Sequence, residues 1–138
     1  MTTPILSLVF FAAWAIFLVL TLGSWRVWEV VTGKTKANGF PSGTKHGGDL
    51  YWRLNRAHLN AVENLPIFGA LVLAGHVVGL TDGTFAQLSV AVAAARVGQT
   101  VFHVASNRVI SVHLRFVCYL AQIGAMGAMV VSLVGVVG

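Results

Sequence analysis

The chain has 138 residues, 57% hydrophobic and 9% charged, with a formal net charge of +5 and a mean hydropathy of +0.81. Soluble domains carry about 25% charged residues, so an ordinary soluble domain is excluded and an integral membrane protein is indicated. The apolar background argues against nucleic acid as a partner, and the single cysteine, Cys118, excludes an intramolecular disulfide.

Four spans of about 20 residues each plus connections use up this length, so residues 1–138 are read as one all-α domain, a four-helix membrane bundle. The first run, from Pro4 to Val31, has no Lys or Arg before it and is longer than a signal-peptide core. It is expected to stay attached as helix 1, with Trp25 and Trp28 at the membrane interface. The loop "TGKTKANGFPSGTKHGGDL", residues 32–50, is rich in Gly and Lys and lies outside the hydrocarbon. Helix 2 runs from about Asp49 to Val78, polar first and apolar later, with Pro66 removing one backbone hydrogen bond and kinking it. Residues 79–83 form a turn, helix 3 covers about Phe85 to Ala105, residues 106–111 form a second turn, and helix 4 covers about Val112 to Val137.

Lys and Arg lie on one side of this layout. Arg26, Lys34, Lys36, Lys45, Arg53 and Arg56 flank the first loop; Arg96, Arg108 and Arg115 gather toward the last; the turn between helices 2 and 3 holds only Asp82. The positive-inside rule then places the first and last loops in the cytoplasm and both termini on the opposite side of a bacterial inner membrane or its equivalent. No spacing of His, Cys or acidic residues resembles a metal site.

At 100° per residue the polar residues form stripes. Arg53, Arg56, Asn60, Glu63 and Asn64 share an arc of about 100° on helix 2. Arg96, Gln99 and His103 align on helix 3, and Arg115, Tyr119 and Gln122 on helix 4. Ionisable side chains facing lipid are costly, so the stripes are expected to meet in a polar pocket toward the basic end. Each also has a plainer reading. Glu63 pairs with Arg96 or Arg56 to neutralise a buried charge, Asn60, Asn64 and Gln122 act as interhelical glue, His58 makes a structural contact, and Arg53 meets a headgroup as readily as a ligand. Arg115 has no acid nearby in sequence, and a bound anion is its natural partner.

The segment "RAHLNAVENLPIF" resembles the helix-2 signature of the MAPEG family, membrane-associated proteins in eicosanoid and glutathione metabolism, through Arg56, Ala57, His58, Asn60, Glu63 and Phe68. The basic loop "VTGKTKANGF…KHGG", the helix-3 segment "ARVGQTVFH" and "LRFVCY", with Arg115 and Tyr119, look like the branch that contains microsomal prostaglandin E synthase and the microsomal glutathione transferases. The resemblance implies a homotrimer with helix 2 near its centre and glutathione in a polar cavity between subunits. Carried over by position, Arg115 stabilises the glutathione thiolate and is the catalytic residue. Arg53, Arg56, Asn60 and Glu63 bind the peptide, and Tyr119, Gln99 and His103 line the same cavity. The chain departs from the synthase at Leu59, where a second glutathione-binding arginine is found, at Ser42, where a loop aspartate stands, at Phe116 and at His103, which replaces a tyrosine.

The expected function is therefore a glutathione-dependent membrane enzyme of the microsomal transferase or peroxidase type. It would transfer glutathione to lipophilic electrophiles or reduce lipid hydroperoxides, both supplied by the surrounding membrane lipids. The alternative is a non-catalytic lipid- or partner-binding scaffold, since fold alone does not establish activity.

Overall fold

The structure is a computed structural model and describes residues 1–106 and 108–138. Four helices follow one another: α1 (Thr3–Val31), α2 (Asp49–Val77), α3 (Gly83–Ala105) and α4 (Val109–Val137). All four are long and apolar enough to cross a membrane. At 1.5 Å per residue, the 29 residues of α2 reach about 43 Å, against about 30 Å of hydrocarbon. The surplus lets its polar first turns stand at the membrane boundary.

The chain runs up and down. Phe11 meets Phe68, with ring centroids 5.5 Å apart, while Arg26 near the end of α1 reaches Tyr51 near the start of α2. These pairs make α1 and α2 antiparallel. Arg53 at the start of α2 reaches Val104 at the end of α3, and Arg115 near the start of α4 reaches His103. Ser7 meets Ser89 and Trp14 meets Thr100, so α1 and α3 run parallel. The long loop and the last turn therefore share one end of the bundle, as the distribution of Lys and Arg requires. α3 and α4 pack most extensively, α2 and α4 least of the packed pairs, and among the described residues α1 and α4 do not touch.

Both helix ends that need a sharp stop use glycine. Gly33 (φ 71°) and Gly79 (φ 82°) take the left-handed conformation after α1 and α2. In each case the next residue donates back to the helix, Lys34 N to Glu29 O at 2.9 Å and Leu80 N to Gly75 O at 2.8 Å. This is the six-to-one bond of a Schellman cap, for which a side chain at the left-handed position would be strained. Gly75 has a different role, because a Cβ there would overlap the Phe85 ring, so its hydrogen lets α2 and α3 close at the far end.

One expectation changes. Helix 4 begins at Val109 with Arg108 as its N-cap, three residues before the expected start, so residues 109–111 belong to the helix. Asn107, within the expected turn, lies outside the described residues. Pro66 sits inside α2, which runs on past it to Val77, as expected.

The connection between α1 and α2 is held by aromatic packing. His46 lies 5.3 Å and Phe40 6.3 Å from the Tyr51 ring, and Trp25 packs edge-on to it at 5.9 Å. Arg26 donates from Nε to the Tyr51 hydroxyl at 2.6 Å, and its guanidinium lies 5.4 Å from the Phe40 ring. This fixes the basic loop at the end of the bundle where the polar stripes meet.

Candidate functional site

α2, α3 and α4 bring their stripes together near the basic end. A cavity of about 350 Å³ is lined by Arg56, Asn60, Gln99, His103, Arg115 and Tyr119, with Val112, His113 and Phe116 from the first turns of α4. A second cavity of about 430 Å³ is lined by Asn60, Glu63, Asn64, Gln99 and Tyr119, with Ile67 and Ile123 as its apolar wall. Asn60, Gln99 and Tyr119 belong to both. The two form one groove, polar toward the helix ends and apolar deeper in. Each is within the range of small-molecule sites, about 300–1,000 Å³. Arg115 is six residues into α4, about 9 Å from its end, and so lies near the membrane boundary.

The polar groups of this groove are little used by the protein itself. Arg115 Nη1 contacts His103 Nδ1 at 3.3 Å. The Asn64 amide donates to the Asn60 carbonyl at 2.8 Å, within α2. Among the described residues the one ion pair is Lys45–Asp49, at 2.6 Å, so Glu63, Arg56 and Arg115 have no charged partner within the chain. The expected pairing of Glu63 with Arg96 or Arg56 does not form. Glu63 and Arg56 are exposed on the protomer, pointing out from α2 rather than into the bundle.

Arg96 behaves differently from the other stripe arginines. It is 1% exposed, with its guanidinium carbon 5.5 Å from the Phe11 ring. Its Nη1 donates to Gln99 Oε1 at 2.6 Å, which holds the Gln99 side chain at the wall of the groove. Among the described residues, Nε and Nη2 of Arg96 and both amide atoms of the fully buried Gln122 have no hydrogen-bond partner. Arg96 and Gln122 thus lie behind the groove rather than on its surface.

Of the eight residues picked out in the sequence, seven line the groove: Arg56, Asn60, Glu63, Gln99, His103, Arg115 and Tyr119. Arg53 does not; its Nε donates to the Val104 carbonyl at 3.1 Å, tying α2 to the end of α3. His113 is a groove residue that sequence reasoning missed, although it lies two positions before Arg115. On the other side of α2 a separate cavity of about 300 Å³ is lined by Leu22, Arg26, Phe40, His46, His58 and Leu59, among others, and shares no residue with the groove. Leu59, the position of the absent arginine, faces that separate cavity.

Chemically, the groove offers two unpaired guanidinium groups, one unpaired carboxylate, amide donors and acceptors at Asn60 and Gln99, and a phenol. A ligand with two carboxylates and one ammonium group matches this set by charge. Among the described residues no cluster of His, Cys, Asp or Glu is able to hold a metal ion.

No curated protein matches the chain. The model of the MAPEG family matches residues 4–135. With four helices of membrane-spanning length and a family match across nearly its whole length, this chain is an integral, multi-pass membrane protein of the MAPEG family.

Proposed function

We propose that the protein is a glutathione-dependent membrane enzyme that conjugates glutathione to lipophilic electrophiles or reduces lipid hydroperoxides. The observation that carries this reading is the set of uncompensated charges in one groove: Arg56 and Arg115 against Glu63, with no ion pair among the described residues. Glutathione has two carboxylates and one ammonium group, and family members generally use it. Arg56 then holds a peptide carboxylate, Glu63 receives the ammonium, and Asn60 and Gln99 bond the amides. Arg115 faces the sulfur.

A thiol attacks as its thiolate, and a fixed guanidinium lowers the thiol pKa. In conjugation the sulfur forms a bond to an electrophilic carbon and a leaving group such as chloride departs with its electron pair. In peroxide reduction the sulfur bonds one peroxide oxygen and the O–O bond breaks. The alkoxide takes a proton from water, and a second glutathione converts the sulfenic acid to the disulfide and water. In both cases the protein supplies orientation and electrostatic stabilisation. The apolar wall at Ile67 and Ile123 suits a second substrate arriving from lipid.

The protein acts as a homotrimer in this reading, with the basic loops cytoplasmic. Glu63, Arg56 and Tyr119 are exposed on the single protomer, Tyr119 at 39%, and a neighbouring copy shields them from lipid. Native mass spectrometry in mild detergent tests this, and a monomer or dimer rejects it. Titration calorimetry with glutathione, run beside turnover with a chlorinated nitrobenzene and a lipid hydroperoxide, tests the activity. Leu59 is the observation that favours the scaffold alternative, and absence of both binding and turnover decides for it.

A further inference from the structure

Two amide side chains of the groove are each held in one orientation by a neighbour that forbids the flip. The Asn64 amide lies 2.8 Å from the Asn60 carbonyl oxygen, one turn back on α2. A carbonyl oxygen only accepts, so the atom facing it is Nδ2, and Oδ1 is on the other branch of the amide. The Gln99 amide lies 2.6 Å from Nη1 of Arg96, one turn back on α3. A guanidinium only donates, so the atom facing it is Oε1, and Nε2 is on the other branch. Arg96 is 1% exposed and lies over the Phe11 ring, so the anchor behind Gln99 is itself fixed.

Among the described residues neither Asn64 Oδ1 nor Gln99 Nε2 has a bonding partner, and neither is one of the polar atoms buried without one. Both are therefore open to the outside, and the deeper cavity is the opening that both side chains line. The plainer role of Asn64 as interhelical glue does not form, because its amide bonds its own helix.

We propose that the deeper cavity reads one peptide bond: the carbonyl accepts from Gln99 Nε2 on α3, and the N–H donates to Asn64 Oδ1 on α2. In a trans peptide group C=O and N–H point in opposite directions. A site for such a group needs its donor and its acceptor on different walls, each with its polarity fixed. Here α3 supplies the donor and α2 the acceptor. On the glutathione reading of the groove, on which this rests, the bond is identified as well. Glu63, which receives the ammonium, lines the same cavity as Asn64. Arg115, which faces the sulfur, lines the outer cavity and not this one. The peptide bond between that ammonium and that sulfur is the γ-glutamyl–cysteine bond. An ester of the same shape would set an oxygen against Asn64 Oδ1, acceptor against acceptor, so the pair selects a peptide over an ester.

Calorimetry on full-length protein in mild detergent, with two ligands, tests this. One is glutathione, and the other is its depsipeptide analogue, in which an ester oxygen replaces the N–H of the γ-glutamyl–cysteine bond. The ester is expected to bind wild type about tenfold more weakly than glutathione. Asn64→Leu has no acceptor to oppose the ester, and is expected to bind the two ligands within about threefold of each other. Gln99→Leu is expected to weaken both by about tenfold and to keep the gap between them. A role in folding alone would lower Tm and leave the ratio of the two affinities as in wild type. Alanine at either position repeats the measurement where leucine lowers Tm. Equal affinities for the two ligands in wild type, or a gap that survives in Asn64→Leu, overturn the proposal, and so does wild-type affinity in Gln99→Leu. In each of these outcomes wild type still binds glutathione, and the functional reading stands. If wild type binds no glutathione, the functional reading itself fails and the cavity has no such bond to read.

Discussion

Along the seam between α1 and α3 the polar side chains meet protein. Ser89 donates to Ser7 at 3.2 Å, Trp14 donates to Thr100 at 3.3 Å, and Arg96 lies over Phe11 and bonds Gln99. Along the groove between α2 and α4, Arg56 and Glu63 are exposed and Arg115 is half-buried, and among the described residues none has a charged partner. A polar group inside a membrane is retained either because its partner is built in or because its partner arrives from outside. The seam is the first case, and on the proposed reading the groove is the second. An intramembrane arginine is therefore a poor sign of function until its neighbours are known: Arg96 is the more deeply buried, and Arg115 is the one that lines the groove.

The largest test of this contrast is on the seam. Phe11→Ala removes a ring packed against both Phe68 and Arg96. It is expected to cost about 3–5 kcal/mol of stability, seen as a lower Tm in detergent. Any protein that still folds should bind glutathione with wild-type Kd. A variant with an unchanged Tm and lost binding would put the seam in the site and erase the distinction.

On the groove side the expectations reverse. Arg115→Ala is expected to lower kcat by about ten- to a hundredfold, from a charge-assisted contact of about 1.5–3 kcal/mol, with little change in Tm because no protein ion pair is lost. Full activity in Arg115→Ala would leave the enzyme class standing and remove Arg115 as thiolate stabiliser. Arg56→Ala is expected to have a smaller effect, about tenfold, and mainly on Kd. On the proposed reading its carboxylate contact is present throughout the reaction and so does not distinguish ground state from transition state. Calorimetry beside steady-state kinetics separates the two arginines.

The bundle and most of the groove were legible from the sequence for a common reason. Lipid penalises polar groups so strongly that hydropathy marks the helices, and a 3.6-residue period marks which side of each helix is wet. What failed lies where those constraints weaken. The start of α4 at Val109 was missed because "SNRVIS" sits at the membrane boundary, where water accepts turn and helix alike and, among the described residues, no side chain caps the helix. Arg53 shares the helix-2 arc, yet a wheel records direction without height, and at the end of α3 it finds the Val104 carbonyl. His113 stands about 160° from Arg115 on a wheel, and only the cavity's wrap around the first turns of α4 joins them. The buried pairing of Glu63 was expected because neutralisation by a neighbour on the same chain is the simplest solution. The outward direction of α2's polar face prevents it.

The smallest expected effect gives the sharpest reading of the seam. The Trp14–Thr100 bond spans 86 positions of sequence, and Thr100 also donates to the Arg96 carbonyl at 3.0 Å. Thr100→Val therefore removes two interactions and Trp14→Phe one, so neither alone measures the interhelical bond. The double-mutant cycle does, because the bond to the Arg96 carbonyl is lost in both proteins that carry the Thr100→Val substitution and cancels. Side-chain hydrogen bonds between membrane helices average about 0.6 kcal/mol, and a coupling of that size is expected from unfolding in mild detergent, with glutathione affinity unchanged in all four proteins. A coupling near zero would mean that Trp14 and Thr100 are merely adjacent. A coupling in glutathione affinity would mean that the seam reaches the groove through Arg96 and Gln99. The path is physically available: Thr100 bonds the carbonyl of Arg96, whose guanidinium holds Gln99 at the groove wall 2.6 Å away. The separation of seam and groove holds only if the Arg96 backbone stays fixed when Thr100 lets go, and an α-helix whose own ladder is intact on both sides provides that rigidity.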